Sequence, residues 1–413
     1  MRVLKVWDSE YPWDVRAEKI CRTLTEAGHE VHMVARNRDR RPVRQELPEC
    51  SVHRLRPWRW AGETLDRASQ FPAFFNPRWL ALMFSVGRRH GVELVLVRDV
   101  PLAPTAIWAA RLLSVPVVLD MAENYPAMIR DLWTTGATRR GDWLVRNPKA
   151  VAAVERWVLA RVDHVLAMVE ESRDRLVRMG VPEGRVTIVS NTPSLARLAE
   201  FEAIRGGASV SARRAIPDAG APLRVVYLGL MEEARGVGTA LEAVAMARRE
   251  GTPIALDLIG DGRALAALQA RARTLGLGED AVRFHGFLPY RQALEDVARA
   301  DAGLIPHFAN ESWQTTVPNK LFDYMSLGLP VVASDAAPVA RILEETGAGV
   351  TFRDRDAADL ARVLAALCSD PGRHAMGEAG RRAVRTHYNW EADAARLSRA
   401  LERVRSLPRL GHS

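Results

Sequence analysis

The densest chemical signal in this 413-residue chain is the run Thr315-Thr316-Val317-Pro318-Asn319-Lys320-Leu321-Phe322-Asp323-Tyr324-Met325-Ser326-Leu327-Gly328-Leu329-Pro330-Val331-Val332. Pro318 suits the first position of a helix, where its missing N–H leaves nothing unsatisfied. A helix starting there points backbone amides and the positive end of its dipole at whatever lies ahead, which is what an anionic phosphate requires. Lys320 and Asp323 are three apart and share one face of that helix. The lysine can neutralise a diphosphate and the carboxylate can accept two ribose hydroxyls. The competing reading of the same pair is a solvated i,i+3 ion pair. A second constellation, Val225-Val226-Tyr227-Leu228-Gly229 followed by Ala234-Arg235-Gly236, ends a strand with a glycine that lets backbone approach a ligand. Arg235 supplies a forked, permanent cation for phosphate oxygens. Gly260-Asp261-Gly262, Phe284-His285-Gly286-Phe287 and the loop after Asp301–Pro306 are further strand-end turns. Gly286 and Phe287 are placed to line a nucleobase pocket through backbone groups.

These loops need strands and helices to hold them, and the sequence supplies both. Short β-branched runs alternate with amphipathic stretches throughout. Strands are expected at 3–7, 31–35, 94–97, 115–119, 164–168 and 186–189, then at 223–228, 255–259, 282–285, 302–305, 331–333 and 349–352. Nearly continuous apolar strands joined by helices imply parallel sheets covered on both faces. The fold class is therefore α/β, with two doubly wound Rossmann-like domains whose strand carboxyl ends carry the ligand loops. Residues 1–190 form the first domain, 191–222 lose the rhythm and read as the connection, and 223–388 form the second. The terminal helical stretch, about 389–405, is free to pack back on the first domain.

Composition narrows the function. Two domains of roughly 200 residues are the default for this length. Cys21, Cys50 and Cys368 share no metal-ligand spacing, which fits a reducing compartment. No run of about 18 apolar residues is present, and the first strand follows the first residue without a signal-peptide layout. The expected location is the cytoplasm. Residues 1–190 hold 30 Lys+Arg against 23 Asp+Glu, while 191–413 hold 28 against 27, so the basic excess sits in the first half. An anionic partner would meet that half. Arg54-Leu55-Arg56-Pro57-Trp58-Arg59-Trp60, with Phe71–Phe75 and Trp79 beyond it, mixes arginine with aromatics as a patch on an anionic membrane surface does. The alternative is a loop whose aromatics are folded into the first domain. A basic pI without any recognised module gives no case for nucleic acid. The first strand is followed by Trp7-Asp8-Ser9-Glu10 and not by a Gly-x-Gly-x-x-Gly turn, which excludes a nicotinamide dehydrogenase.

Taken in order, the second-half motifs resemble the retaining GT-B glycosyltransferases of family four, also called group one, in the subgroup with Pro-Asn-Lys-Leu-Phe-Asp-Tyr. The resemblance implies an enzyme that moves a sugar from a nucleotide diphosphate, by default UDP, to a polysaccharide or lipid-linked acceptor with retention of configuration. It assigns Arg235 and Lys320 to the diphosphate and Asp323 to the ribose. Gly229, Gly260, Gly286, Phe287, Thr315 and Thr316 complete the donor side. In the first half, Val118-Leu119-Asp120-Met121-Ala122-Glu123-Asn124-Tyr125-Pro126 resembles the segment facing the transferred sugar, with Glu123 nearest the reacting centre. Asp120 and Asn124 compete for that position, and Asp99 either faces the cleft or caps the next helix. Thr315 stands where many members carry Glu, and Leu230 where many carry Arg. No metal is required if Arg235, Lys320 and the helix end neutralise the leaving group; no Asp-x-Asp site is evident and no cofactor is expected. A sugar-nucleotide epimerase on the same fold, or a non-catalytic sugar-nucleotide-binding protein, are the alternatives.

Overall fold

The structure is a computed structural model that describes all residues except 59–61, 72–73, 135–145, 208–220 and 407–413. It divides into two units, Met1–Asn191 with Asp393–Ser413, and Thr192–Ala392.

The first unit is built on eight strands: β1 (Arg2–Val6), β2 (Glu30–Ala35), β3 (Arg44–Leu47), β4 (Cys50–Arg54), β5 (Leu94–Arg98), β6 (Val117–Met121), β7 (His164–Ala167) and β8 (Val186–Ile188). Their order across the sheet is β3-β4-β2-β1-β5-β6-β7-β8. Every pairing is parallel except β3 with β4. The β3–β4 hairpin was not expected from the sequence. Its first strand is polar and half exposed, and the second turns His53 and Arg54 inward, so neither shows an apolar run. The strand order reverses between β1 and β5, the position at which open α/β sheets bind ligands. Helix starts follow local rules. Asp14 caps Val15–Glu26 by accepting from Ala17 N at 2.8 Å. Asn76 caps Pro77–His90, which ends on Gly91 in the left-handed region.

The aromatic and basic segment around residue 54 is in part interior. Arg54 and Trp79 are fully buried. Arg54 donates to the carbonyls of Tyr11 and Pro42, and Trp79 Nε1 donates to Gln70 O at 2.9 Å. Trp58 lies under the Arg78 guanidinium at 4.2 Å. Arg54 and Trp79 therefore belong to the interior of the fold, whereas Phe75 is half exposed. Arg59, Trp60, Pro72 and Ala73 lie outside the described residues.

The second unit carries β9 (Leu223–Leu228), β10 (Ile254–Ile259), β11 (Val282–Gly286), β12 (Ala302–Ile305), β13 (Val331–Ser334) and β14 (Gly349–Phe352). Their order is β11-β10-β9-β12-β13-β14, all parallel. Its reversal point lies between β9 and β12. The stretch read as a connection contains a helix, Leu195–Gly207, that belongs to this unit. Ser194 caps it through Arg197 N, and Leu198 and Phe201, three apart, bury one face. The rest of that stretch, 208–220, lies outside the described residues. The last helix, Trp390–Ser406, falls mostly in the first unit. There the buried Asp393 carboxylate accepts from Ser190 N at 3.0 Å.

Candidate functional site

The second unit assembles its site at the β9/β12 reversal point. Lys320 lies in the first turn of the helix Asn319–Ser326. Pro318 is the capping residue before that helix, with extended backbone, and not its first helical residue as the sequence suggested. Lys320 Nζ sits 3.2 Å from His307 Nε2, just beyond β12, and 3.9 Å from the centroid of the Tyr227 ring on β9. His307 is buried and its ring lies tilted against Trp313, with centroids 4.4 Å apart. With the ammonium donating to Nε2, the imidazole keeps its proton on Nδ1, which is buried and unpartnered. Arg235 ends the turn Glu233–Arg235 after β9 and lies over the other aromatic, Trp313, at 4.9 Å.

Neither Arg235 nor Lys320 has a carboxylate within 4.0 Å among the described residues. The electrostatics register this. Burial, and next the Arg235 charge, push the Lys320 ammonium well below the usual lysine range, against the pull of Asp323. Burial, then Lys320 and Arg235, push His307 well below its ordinary value, so it is a neutral acceptor. Two cations without a carboxylate in direct contact cost the folded state free energy that a bound anion would return.

The glycines set how closely this chain can approach. A Cβ on Gly229 (φ +147) would stand 2.7 Å from Lys320 Nζ, and one on Gly260 (φ +139) would overlap the Gly229 carbonyl. Gly260 N in turn donates to Gly286 O at 2.8 Å. Gly229, Gly260 and Gly286 therefore form a backbone ladder across the ends of β9, β10 and β11. Phe287 extends past it, 81% exposed. Asp323 is half-buried and accepts from the Tyr290 hydroxyl at 3.0 Å; the Arg197 guanidinium lies 4.6 Å from the Tyr290 ring. Thr315 and Thr316 are buried, and the Thr315 hydroxyl is within 3.3 Å of Ser312 O, a local turn contact. His285 pairs with Asp257 at 2.8 Å as an ordinary strand histidine. Tyr227, His307, Trp313, Tyr290 and Arg197 were not read as site residues. Only the position of Tyr227 next to Gly229 and of His307 next to the Pro306 strand end could have drawn attention to them.

The first unit places Glu123 beyond β6, exposed. Asp120 is not its rival: the carboxylate is fully buried between Lys5 Nζ at 2.7 Å and Arg16 Nη2 at 2.6 Å. Burial alone would raise it, but Arg16 and Lys5 hold it well below the usual carboxylate range. Asn124 is a buried cap, accepting from Ala127 N at 3.2 Å. Asp99 does not cap the turn that follows it. With φ +57, it accepts from Ala122 N at 2.9 Å and Glu123 N at 3.2 Å, bracing the Glu123 loop. Burial pushes the Asp99 carboxyl up to about 6 against the neighbouring Arg98.

Comparison with known proteins matches both units. The Glycosyl transferase 4-like domain family matches residues 14–192, and the Glycosyl transferases group 1 family matches residues 222–370. Both matches are to glycosyltransferase domains, one in each half of the chain. It is 29% identical over 192 residues to an amylovoran biosynthesis glycosyltransferase of Erwinia amylovora, covering 44% of this chain and 45% of that one. It is 24% identical over 416 residues to a glycogen synthase of Mycobacterium tuberculosis, covering 95% and 92%. Among solved structures, a sucrose-phosphate synthase of Thermosynechococcus elongatus superposes with a TM-score of 0.72 at 17% identity over 98% of both chains. Anabaena HepE in complex with UDP gives 0.69 at 13%, over 98% of this chain and 100% of that one. The chain has the GT-B architecture of two Rossmann-like domains. No helix among its described residues is long and apolar enough to cross a membrane.

Proposed function

We propose that this glycosyltransferase takes a sugar from a nucleoside diphosphate donor, UDP-linked, and transfers it with retention of configuration to a polysaccharide or lipid-linked acceptor. The observation that carries the donor half is the pair Arg235 and Lys320, aromatic-backed cations without carboxylate partners at the β9/β12 reversal point. Expelling a diphosphate from an anomeric carbon builds negative charge on the leaving oxygens, and preorganised cations stabilise that charge as it grows. Asp323, one turn along the helix, takes the ribose, and the Gly229–Gly260–Gly286 ladder admits the nucleotide to the backbone. The part assigned to Glu123 is toward the transferred sugar. The diphosphate chemistry is then supplied by side chains, and no metal or cofactor enters it.

The donor base rests on the UDP held by HepE, and the acceptor class on the amylovoran enzyme. A thermal-shift screen against UDP, GDP and their common sugars tests the donor; stabilisation by UDP and not GDP is expected. Proton NMR of the donor incubated alone separates the epimerase reading: accumulation of an epimer overturns transfer, whereas slow release of UDP with an α-configured sugar from an α-linked donor supports it.

A further inference from the structure

Three histidines come together in the first unit. His32 is on β2, His53 on β4, and His90 is the last residue of the helix Pro77–His90. Each offers a ring nitrogen, and these three atoms lie within 4.8 Å of one another. His32 Nδ1 is 3.3 Å from His53 Nε2. The His32 and His90 ring centroids are 4.0 Å apart, and those of His53 and His90 5.3 Å. His32 and His53 are buried and His90 half-buried.

Packing alone accounts poorly for this group. His90 Nε2 is buried without a hydrogen-bond partner, and such an atom costs about 1–3 kcal/mol. Glu30 Oε1 stands 2.9 Å from His32 Nε2. A tetrahedral ion with metal–nitrogen bonds of about 2.0–2.1 Å sets its ligand nitrogens about 3.3 Å apart. The His32–His53 separation already has that length. A carboxylate beside the outer nitrogen of a ligating histidine is the usual means of fixing its tautomer. Coordination needs neutral imidazoles. The negative end of the helix dipole at His90 also favours a cation there.

We propose that His32, His53 and His90 bind one divalent first-row transition ion, with Zn²⁺ the fitting choice for an all-imidazole set. The ion clamps β2, β4 and the end of the helix Pro77–His90, with Glu30 orienting His32 and a solvent molecule completing the tetrahedron. It shares no residue with the donor machinery, so its role is to hold the first unit together.

The test uses the untagged full-length chain, stripped with a chelator and titrated with Zn²⁺ and separately with Co²⁺, whose visible absorption reports coordination geometry. One equivalent of Zn²⁺ per chain, a thermal midpoint raised by several degrees, and a tetrahedral Co²⁺ spectrum are expected. His90→Ala, at a half-buried helix end, is expected to fold with an unchanged circular dichroism spectrum and to lose at least 100-fold in Zn²⁺ affinity. His53→Gln is expected to do the same. If His53→Gln fails to fold, His90→Ala and the cobalt spectrum decide alone. Absence of stoichiometric uptake by the wild type, an octahedral cobalt spectrum, or wild-type affinity in His90→Ala overturns the proposal.

Discussion

Replacing Gly229 by alanine puts one methyl group against the ammonium on which the donor site depends. The new Cβ would stand 2.7 Å from Lys320 Nζ, where ordinary contact begins at 3.4 Å, so the ammonium must retreat by about 0.7 Å. Lys320 is long enough to move, but doing so draws it off the Tyr227 face and away from His307 Nε2. A charge-assisted bond to phosphate lost in this way is worth about 1.5–3 kcal/mol, or roughly 10–150-fold in affinity. The backbone adds a separate cost. At φ +147 an alanine is strained by about 1–3 kcal/mol of stability. Gly276→Ala separates the two effects, because that glycine also has positive φ (+73) but open space within 4 Å. Gly276→Ala is expected to lose about 1–2 kcal/mol of stability while keeping wild-type affinity for UDP by titration calorimetry. Gly229→Ala is expected to lose both. UDP binding equally tight in the two variants would refute the placement of Lys320 at the phosphates.

Other perturbations probe the remaining parts. Asp323→Ala is expected to weaken UDP binding by about 1.5–3 kcal/mol through loss of charge-assisted bonds to the ribose; calorimetry showing unchanged affinity in the folded variant removes that role. Asp120→Ala leaves Lys5 and Arg16 buried without their counter-charge and is expected to cost about 3–5 kcal/mol in urea unfolding; a loss under 1 kcal/mol contradicts the buried triad. His164 is buried, its Nε2 2.8 Å from Thr187 Oγ1, and burial followed by Arg403 and Arg185 lowers it to about 4. The unfolded chain protonates this imidazole near 6.5 and the folded one does not. Stability is therefore lost as pH falls from about 6.5 to about 4, on the order of 3 kcal/mol from this residue. His164→Gln should flatten that part of the profile, and an unchanged slope would count against it.

The elements that carry the candidate site were readable because they obey local rules. The apolar strands 223–228 and 302–305 appear where the β-branched runs place them, and the helix over Lys320 and Asp323 begins one residue after Pro318 because that proline is the cap. The β3–β4 hairpin was illegible because its inward residues are His53 and Arg54, polar groups that break the apolar run expected of a buried strand. Sequence separation hid the part of Asp120. Its cations, Lys5 and Arg16, are 115 and 104 residues away, so its neighbours in sequence give no sign that it is structural. His307 and Tyr227 were passed over because no spacing marks them; they become support for Lys320 only when β9 and β12 lie side by side.

The central claim is that Arg235 and Lys320 together receive the donor diphosphate. Comparing calorimetric affinities for uridine and UDP isolates that contribution, since the two ligands differ only in phosphates. The wild type should bind UDP far more tightly than uridine, and Arg235→Gln combined with Lys320→Gln should collapse the difference while leaving uridine binding unchanged. A double variant that keeps the wild-type preference for UDP would contradict the account.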